Sequence, residues 1–206
     1  MSDFPDWNDI QRYLWGVWRM MTGHADGLDE LDFSEDGFWQ SFHAITVSLP
    51  PLMLNWIMLT NDLLASRPET GGRLSIIGRV AFVDLTTWIL PVVVLALAVK
   101  PLGIVKRFSP YVVASNWGSV ITAWVMVPAT LLRMVFPNSP VLIASIAVAL
   151  AAVVLVLSYR LTHVALKKSY GWSAIFFVVL VTGTLTLMFT LQSVLGISIP
   201  ELTVSG

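Results

Sequence analysis

The stretch Val141–Leu157, VLIASIAVALAAVVLVL, decides the fold, and its one polar side chain is Ser145. A helix rises 1.5 Å per residue and the hydrocarbon core of a bilayer is about 30 Å thick, so about 20 apolar residues are needed to cross it. Together with its flanks this block reaches that length, over residues 140–161. Four more blocks of similar length follow the same pattern, at residues 42–64, 77–99, 111–135 and 172–195. Membrane β-strands alternate apolar and polar residues over about 10 positions, whereas these blocks are continuous. Inside lipid, only helices and closed barrels satisfy the backbone. The expected fold is therefore all-α, a polytopic transmembrane helical bundle of five spans. Three regions are expected: an acidic head at 1–41, a membrane domain at 42–199 and a tail at 200–206.

Composition agrees. Of 206 residues, 56% are hydrophobic and 12% charged, and mean hydropathy is +0.76. Soluble domains carry about 25% charged residues, and disordered chains are poor in apolar ones. The net charge of −1 hides a split. Residues 1–41 hold nine acidic residues and only Arg12 and Arg19, a net of −7, and the rest is +6. An acidic head on a basic membrane body is not a nucleic-acid footprint, which needs clustered Lys and Arg. The absence of cysteine excludes disulfides, thiolate metal sites and cysteine nucleophiles. The acidic start carries no signal-peptide pattern, so the first span is expected to serve as an uncleaved signal.

With the head inside, Lys and Arg number eight on the inner side and four on the outer. The positive-inside rule then favours a cytoplasmic head and an outer C-terminus, and a multi-pass protein of the cell inner membrane. Arg67, Arg73 and Arg79 are basic on the wrong side of that assignment.

Within the head, Trp7, Ile10, Leu14, Val17 and Met21 alternate in spacing between three and four, one apolar stripe of a helix over 5–22. Pro5 suits its first turn and Gly23 its end. Trp15 and Trp18 widen the apolar face. The polar face holds Asp and Asn rather than Lys and Arg, so anionic lipid would not attract it. Docking on protein, its own bundle included, is favoured over lying on the membrane surface. After an acidic linker at 24–36, Ser34 reads as an N-cap with Glu35 and Asp36 in the first turn and Phe33 and Phe38 as a hydrophobic staple. The linker is no calcium loop, because Leu28 and Leu31 fall where an oxygen ligand and a glycine are required.

Ionisable residues inside spans are costly and are default functional candidates. Asp84 lies well within the second span and Asp62 near the end of the first. Arg79 and Arg133 fall at the same side of the membrane. The four are expected to form an outward-facing polar cluster, either an ion or substrate vestibule or a structural set of ion pairs, with Asn55 and Asn116 as further polar candidates. Ser41, Ser48, Asn55 and Asp62 recur every seven residues and so make one stripe, provided Pro50 and Pro51 do not rotate the halves. Asn116, Ser119 and Thr122 in the third span, Ala147 and Ala151 in the fourth, and Thr182, Thr186 and Thr190 in the fifth read as helix–helix packing faces.

For catalysis the inventory is thin. His24, His43 and His163 are far apart in sequence, although His43 and His163 are expected near the same membrane face. No HExxH, GxSxG or phosphate-binding glycine motif is present. The expectation is no enzyme, no cofactor and no metal.

Five spans behind an acidic, partly helical head resemble the Yip family of small membrane proteins and its bacterial relatives. Residues 33–51, from Phe33-Ser34-Glu35-Asp36-Gly37-Phe38 through Phe42 to Pro50-Pro51, are similar to a stretch that opens small bacterial membrane proteins. The resemblance implies the five-span plan and transfers no functional residue.

The sequence therefore points to a non-enzymatic component that lies in the lipid bilayer and binds a protein partner or a second copy. The head would be the binding element, dispensable for folding on removal of residues 1–32. The alternative is a small transporter or channel using the polar groups near Asp62 and Asp84.

Overall fold

The computed structural model describes residues 4–197, so the tail at 200–206 and the end of the expected membrane domain lie outside the described residues. Among the described residues there are seven α-helices and no strand: α1 Trp7–Met21, α2 Glu35–Gln40, α3 Ala44–Ser66, α4 Arg73–Ala98, α5 Phe108–Val135, α6 Pro140–Leu166 and α7 Tyr170–Val194. Five helical stretches are long and apolar enough to cross a membrane, the first covering Glu35–Ser66. We describe one end of the bundle as the head end, where α1 lies, and the other as the far end.

Local chemistry sets the boundaries. Asp6 caps α1 by accepting from the Asp9 amide at 2.7 Å, so Pro5 precedes the helix instead of opening it. Ser34 accepts from the Gly37 amide at 3.1 Å, as its sequence context requires. Helix α4 begins at Arg73 and α6 continues to Leu166, both beyond the apolar blocks. Hydropathy marks where hydrocarbon ends, and a helix carrying Arg79 or Arg160 continues into the headgroup layer.

Two apolar cores stack along the bundle. The far-end core gathers Trp56, Leu59 and Leu63 of α3 with Ile76, Val80 and Val83 of α4. The head-end core contains Ile10, Tyr13, Val17, Met20 and Met21 of α1 together with Val113 and Trp117 of α5 and Leu161 of α6. Tyr13 lies 5.2 Å from Trp117, ring centre to ring centre. At Gly118 a Cβ would come within 2.8 Å of Leu161 Cδ1 and 3.2 Å of Met21 Cε. Glycine there lets α1 settle into the groove between α5 and α6.

The head is thus docked on its own bundle, and the 1–41 boundary does not separate two cores. Its linker folds back as a short 3₁₀ segment, Ala25–Glu30. A Cβ on Gly27 would sit 2.2 Å from the Gly16 carbonyl oxygen, so the close approach needs glycine. Arg19 closes the fold-back by donating to both carboxylate oxygens of Asp26. That charge-assisted contact lowers the Asp26 carboxyl below its ordinary range. The apolar stripe differs from expectation at its ends. Tyr13 and Met20 are buried while Trp7 is 69% exposed, and Trp15 and Trp18 face outward with it. Removing residues 1–32 would uncover Val113, Trp117 and Leu161, so the head is part of the folded bundle and not an appendage.

Candidate functional site

The polar residues of the spans separate into layers along α3 and do not form one cluster. Nearest the head end, Asn116 of α5 is buried; its amide donates to Ser41 Oγ at 2.8 Å and its carbonyl accepts from Trp88 Nε1 of α4 at 3.0 Å. One side chain therefore ties three segments together. Midway, the Trp56 indole of α3 donates to the Asp84 carboxylate of α4 at 2.6 Å. At the far end, Arg133 of α5 forms an ion pair with Asp62 of α3, both side chains being partly exposed.

Arg79 does not join that pair. Its guanidinium donates to the Leu195 carbonyl at 2.9 Å and to the Thr70 carbonyl at 2.8 Å. Leu195 caps α7, and a cation there satisfies carbonyls that the helix itself leaves open and meets the negative end of its dipole. The expected cluster of two acids and two arginines is therefore corrected to one ion pair, one Trp–carboxylate bond and one helix cap.

Asn55 is exposed and leaves the expected stripe. The buried positions of the first span are Ser41, Ala44, Ser48 and Pro51 before the proline pair, then Trp56, Leu59, Thr60 and Leu63 after it. The second set is turned from the first by about one residue's rotation, ~100°. Proline removes a backbone hydrogen bond and its ring presses on the preceding turn, which displaces the two halves. Asn55 would have continued the first face and is carried outward.

Other hydroxyls are satisfied within their own helices. Thr87, Ser119 and Thr162 each donate to a carbonyl one turn back, at 3.0, 2.9 and 2.8 Å. Among the described residues, the buried Ser48 and Thr60 hydroxyls have no hydrogen-bond partner. His43 lies beside Phe4, ring centres 5.0 Å apart, whereas His163 stacks on Tyr170 at 4.0 Å and meets Ser173 Oγ at 3.3 Å. The two histidines keep separate partners. Among the described residues no three His, Cys, Asp or Glu side chains converge on a metal-sized gap.

No family model, curated protein or solved structure matches this chain.

The expected packing faces of α6 and α7 lie differently. Thr182, Gly183, Thr186 and Thr190 of α7 are exposed, as are Ala144 and Ala151 of α6, with Ala147 half-buried. No residue from Pro140 to Arg160 is buried. These small and hydroxyl-bearing faces point away from the chain's own bundle. Hydropathy is blind to this, because lipid and a neighbouring helix are equally apolar.

Proposed function

We propose that this chain is a non-enzymatic, multi-pass membrane component that binds another membrane-embedded protein through its transmembrane helices, with α6 and α7 as the binding face. One observation carries the reading. Membrane helices associate through small and hydroxyl residues, which let backbones approach closely, and such faces on α6 and α7 are left uncovered by the other described residues. The buried polar groups of α3, α4 and α5 hold the bundle together and leave recognition to its outer faces. The head belongs to the fold in this reading, and the partner contacts the spans. The charge asymmetry supports a cytoplasmic head in an inner or plasma membrane.

The test is a photo-crosslinking amino acid at Thr186, illuminated in native membranes. A discrete adduct with a second protein supports the reading. Adducts with lipid alone, at Thr186 and at Ala151, would refute it.

A second reading, a small transporter or channel, draws on Asp84. Its carboxylate is held by an indole N–H and, among the described residues, by no cation, and intramembrane acids mark ion pathways in many transporters. That reading requires Asp84→Asn to abolish flux in proteoliposomes at unchanged expression.

A further inference from the structure

Helices α4 and α7 meet at the far end, where Met188, Leu191 and Leu195 pack on the core of Ile76 and Val80. Towards the head end they part and leave a groove of about 630 Å³. Its walls are Leu90, Val94 and Leu102 on one side and Trp172, Val179 and Leu187 on the other, with Thr184 the only hydroxyl in the lining. From Trp172 to Leu187 the groove runs about 22 Å at 1.5 Å per residue, roughly three-quarters of a ~30 Å hydrocarbon core.

Its lining and its mouth together select the occupant. An extended hydrocarbon chain can follow an almost wholly apolar lining of that length. The mouth adds charge. The two head-end loops flanking it carry Lys100, Lys106 and Arg107, and Lys167 and Lys168, with no acidic residue in either loop. None of these five is among the ion pairs of the described residues. Lys100 lies between Ala98 and Leu102, both lining the groove. Lys168 Nζ sits 5.6 Å from the Trp172 ring centre, and Trp172 stacks on Phe176 in the groove wall at 5.3 Å. Tryptophan at a span's end sits at headgroup level, which puts Lys168 beside the phosphates.

We propose that the α4–α7 groove is a binding site for an anionic phospholipid of the head-end leaflet, with one acyl chain along Val94 and Val179 and the phosphate between Lys100 and Lys168. A lone apolar groove would take any lipid tail. The basic loops at the mouth confer a headgroup preference, since basic residues near a membrane surface attract anionic lipid. The proposal needs only the membrane placement of the five helices; on α7 the groove shares Gly183 with the proposed partner face, so a bound lipid and a docked partner would compete there.

The experiment is native mass spectrometry of the full chain, released from micelles doped with equal amounts of phosphatidylglycerol and phosphatidylcholine of identical chains. Each lysine near a membrane surface contributes about fivefold, so the parent is expected to retain phosphatidylglycerol about 30-fold over phosphatidylcholine. Lys100→Gln with Lys168→Gln should bring the ratio near one while some lipid of both kinds stays bound. Val179→Trp fills the groove at a position already 66% exposed, and should remove both lipids. Ile175→Phe, at a 70% exposed position, serves the same purpose should the tryptophan variant misfold. Equal retention of the two headgroups by the parent, or a preference unchanged in the double lysine variant, would overturn the proposal. So would groove-filling variants that keep their lipid, or that lose a dimer peak instead, which would assign the groove to a second copy of the chain.

Discussion

If α1 is part of the bundle, trimming one of its buried side chains should open the head without disturbing the far end. Met20 is fully buried against the head-end core. Replacing a buried methionine by alanine costs about 2–5 kcal/mol, the larger values applying where the surroundings cannot collapse into the gap. The α5–α6 groove is lined by helix surfaces that other contacts hold in place, so little collapse is available. At 1.4 kcal/mol per decade, that cost raises the population of the undocked head about 30- to 4,000-fold. The natural chain has no cysteine, so a single thiol reports the opening. Val17→Cys places it at a fully buried position of α1. When redocking outruns alkylation, the labelling rate follows the opening equilibrium. We expect Val17→Cys to label slowly in reconstituted membranes and at least 30-fold faster when Met20→Ala is added. Two controls bracket the result. Gln11→Cys, on the exposed side of α1, should label quickly in either background. Ile76→Cys, fully buried in the far-end core, should stay protected in both. Equal rates at Val17 with and without Met20→Ala would refute the docking argument. Faster labelling at Ile76 as well would show that the two cores melt as one.

Asn116→Ala strands the Trp88 indole and the Ser41 hydroxyl, and an unmade buried hydrogen bond costs about 1–3 kcal/mol. The thermal transition in detergent should fall by about 2–4 °C per kcal/mol. Adding Trp88→Phe should cost less than its separate effect, and strict additivity would deny the coupling. The Asp62–Arg133 pair is partly exposed, so Arg133→Gln should cost about 1 kcal/mol or less. The exchange Asp62→Arg with Arg133→Asp should then recover what either single change loses, and a double variant no better than its worse parent would argue against the pair. The pH dependence of head docking follows Asp26. Its carboxyl is lowered chiefly by the Arg19 hydrogen bond, so the stabilisation is present above the ordinary carboxylate range and is lost as pH falls through the lowered value. Labelling at Val17→Cys should therefore quicken on acidification to below that range, and Asp26→Asn should flatten this response.

What the sequence disclosed follows from which solvent each residue competes for. Length and continuity of the apolar blocks disclosed the spans, since nothing but hydrocarbon rewards Val141–Leu157 as a whole. Caps were legible for the same local reason: Ser34 meets the amide three residues on, whatever lies beyond. The inward and outward faces of each span were not legible, because a membrane helix gains no more hydrophobic free energy against a neighbour than against lipid. Thus Trp7 and Trp15 read as part of the stripe on α1 and turn out to face away, and Thr182, Thr186 and Thr190 read as internal packing and lie exposed. The polar pairings followed formal charge only where charge met charge. Asp62 and Arg133 were anticipated together, but Asp84 found an indole N–H and Arg79 found helix carbonyls, partners that a count of acids and bases does not see. Asn55 was lost to the rotation at Pro50–Pro51, whose direction depends on how α3 settles against α4 and α5. These reversals point to one physical fact. In this chain the polar contacts that choose faces are few and specific, so the exposed small and hydroxyl-bearing faces left over on α6 and α7 are where the proposed partner would find something to recognise.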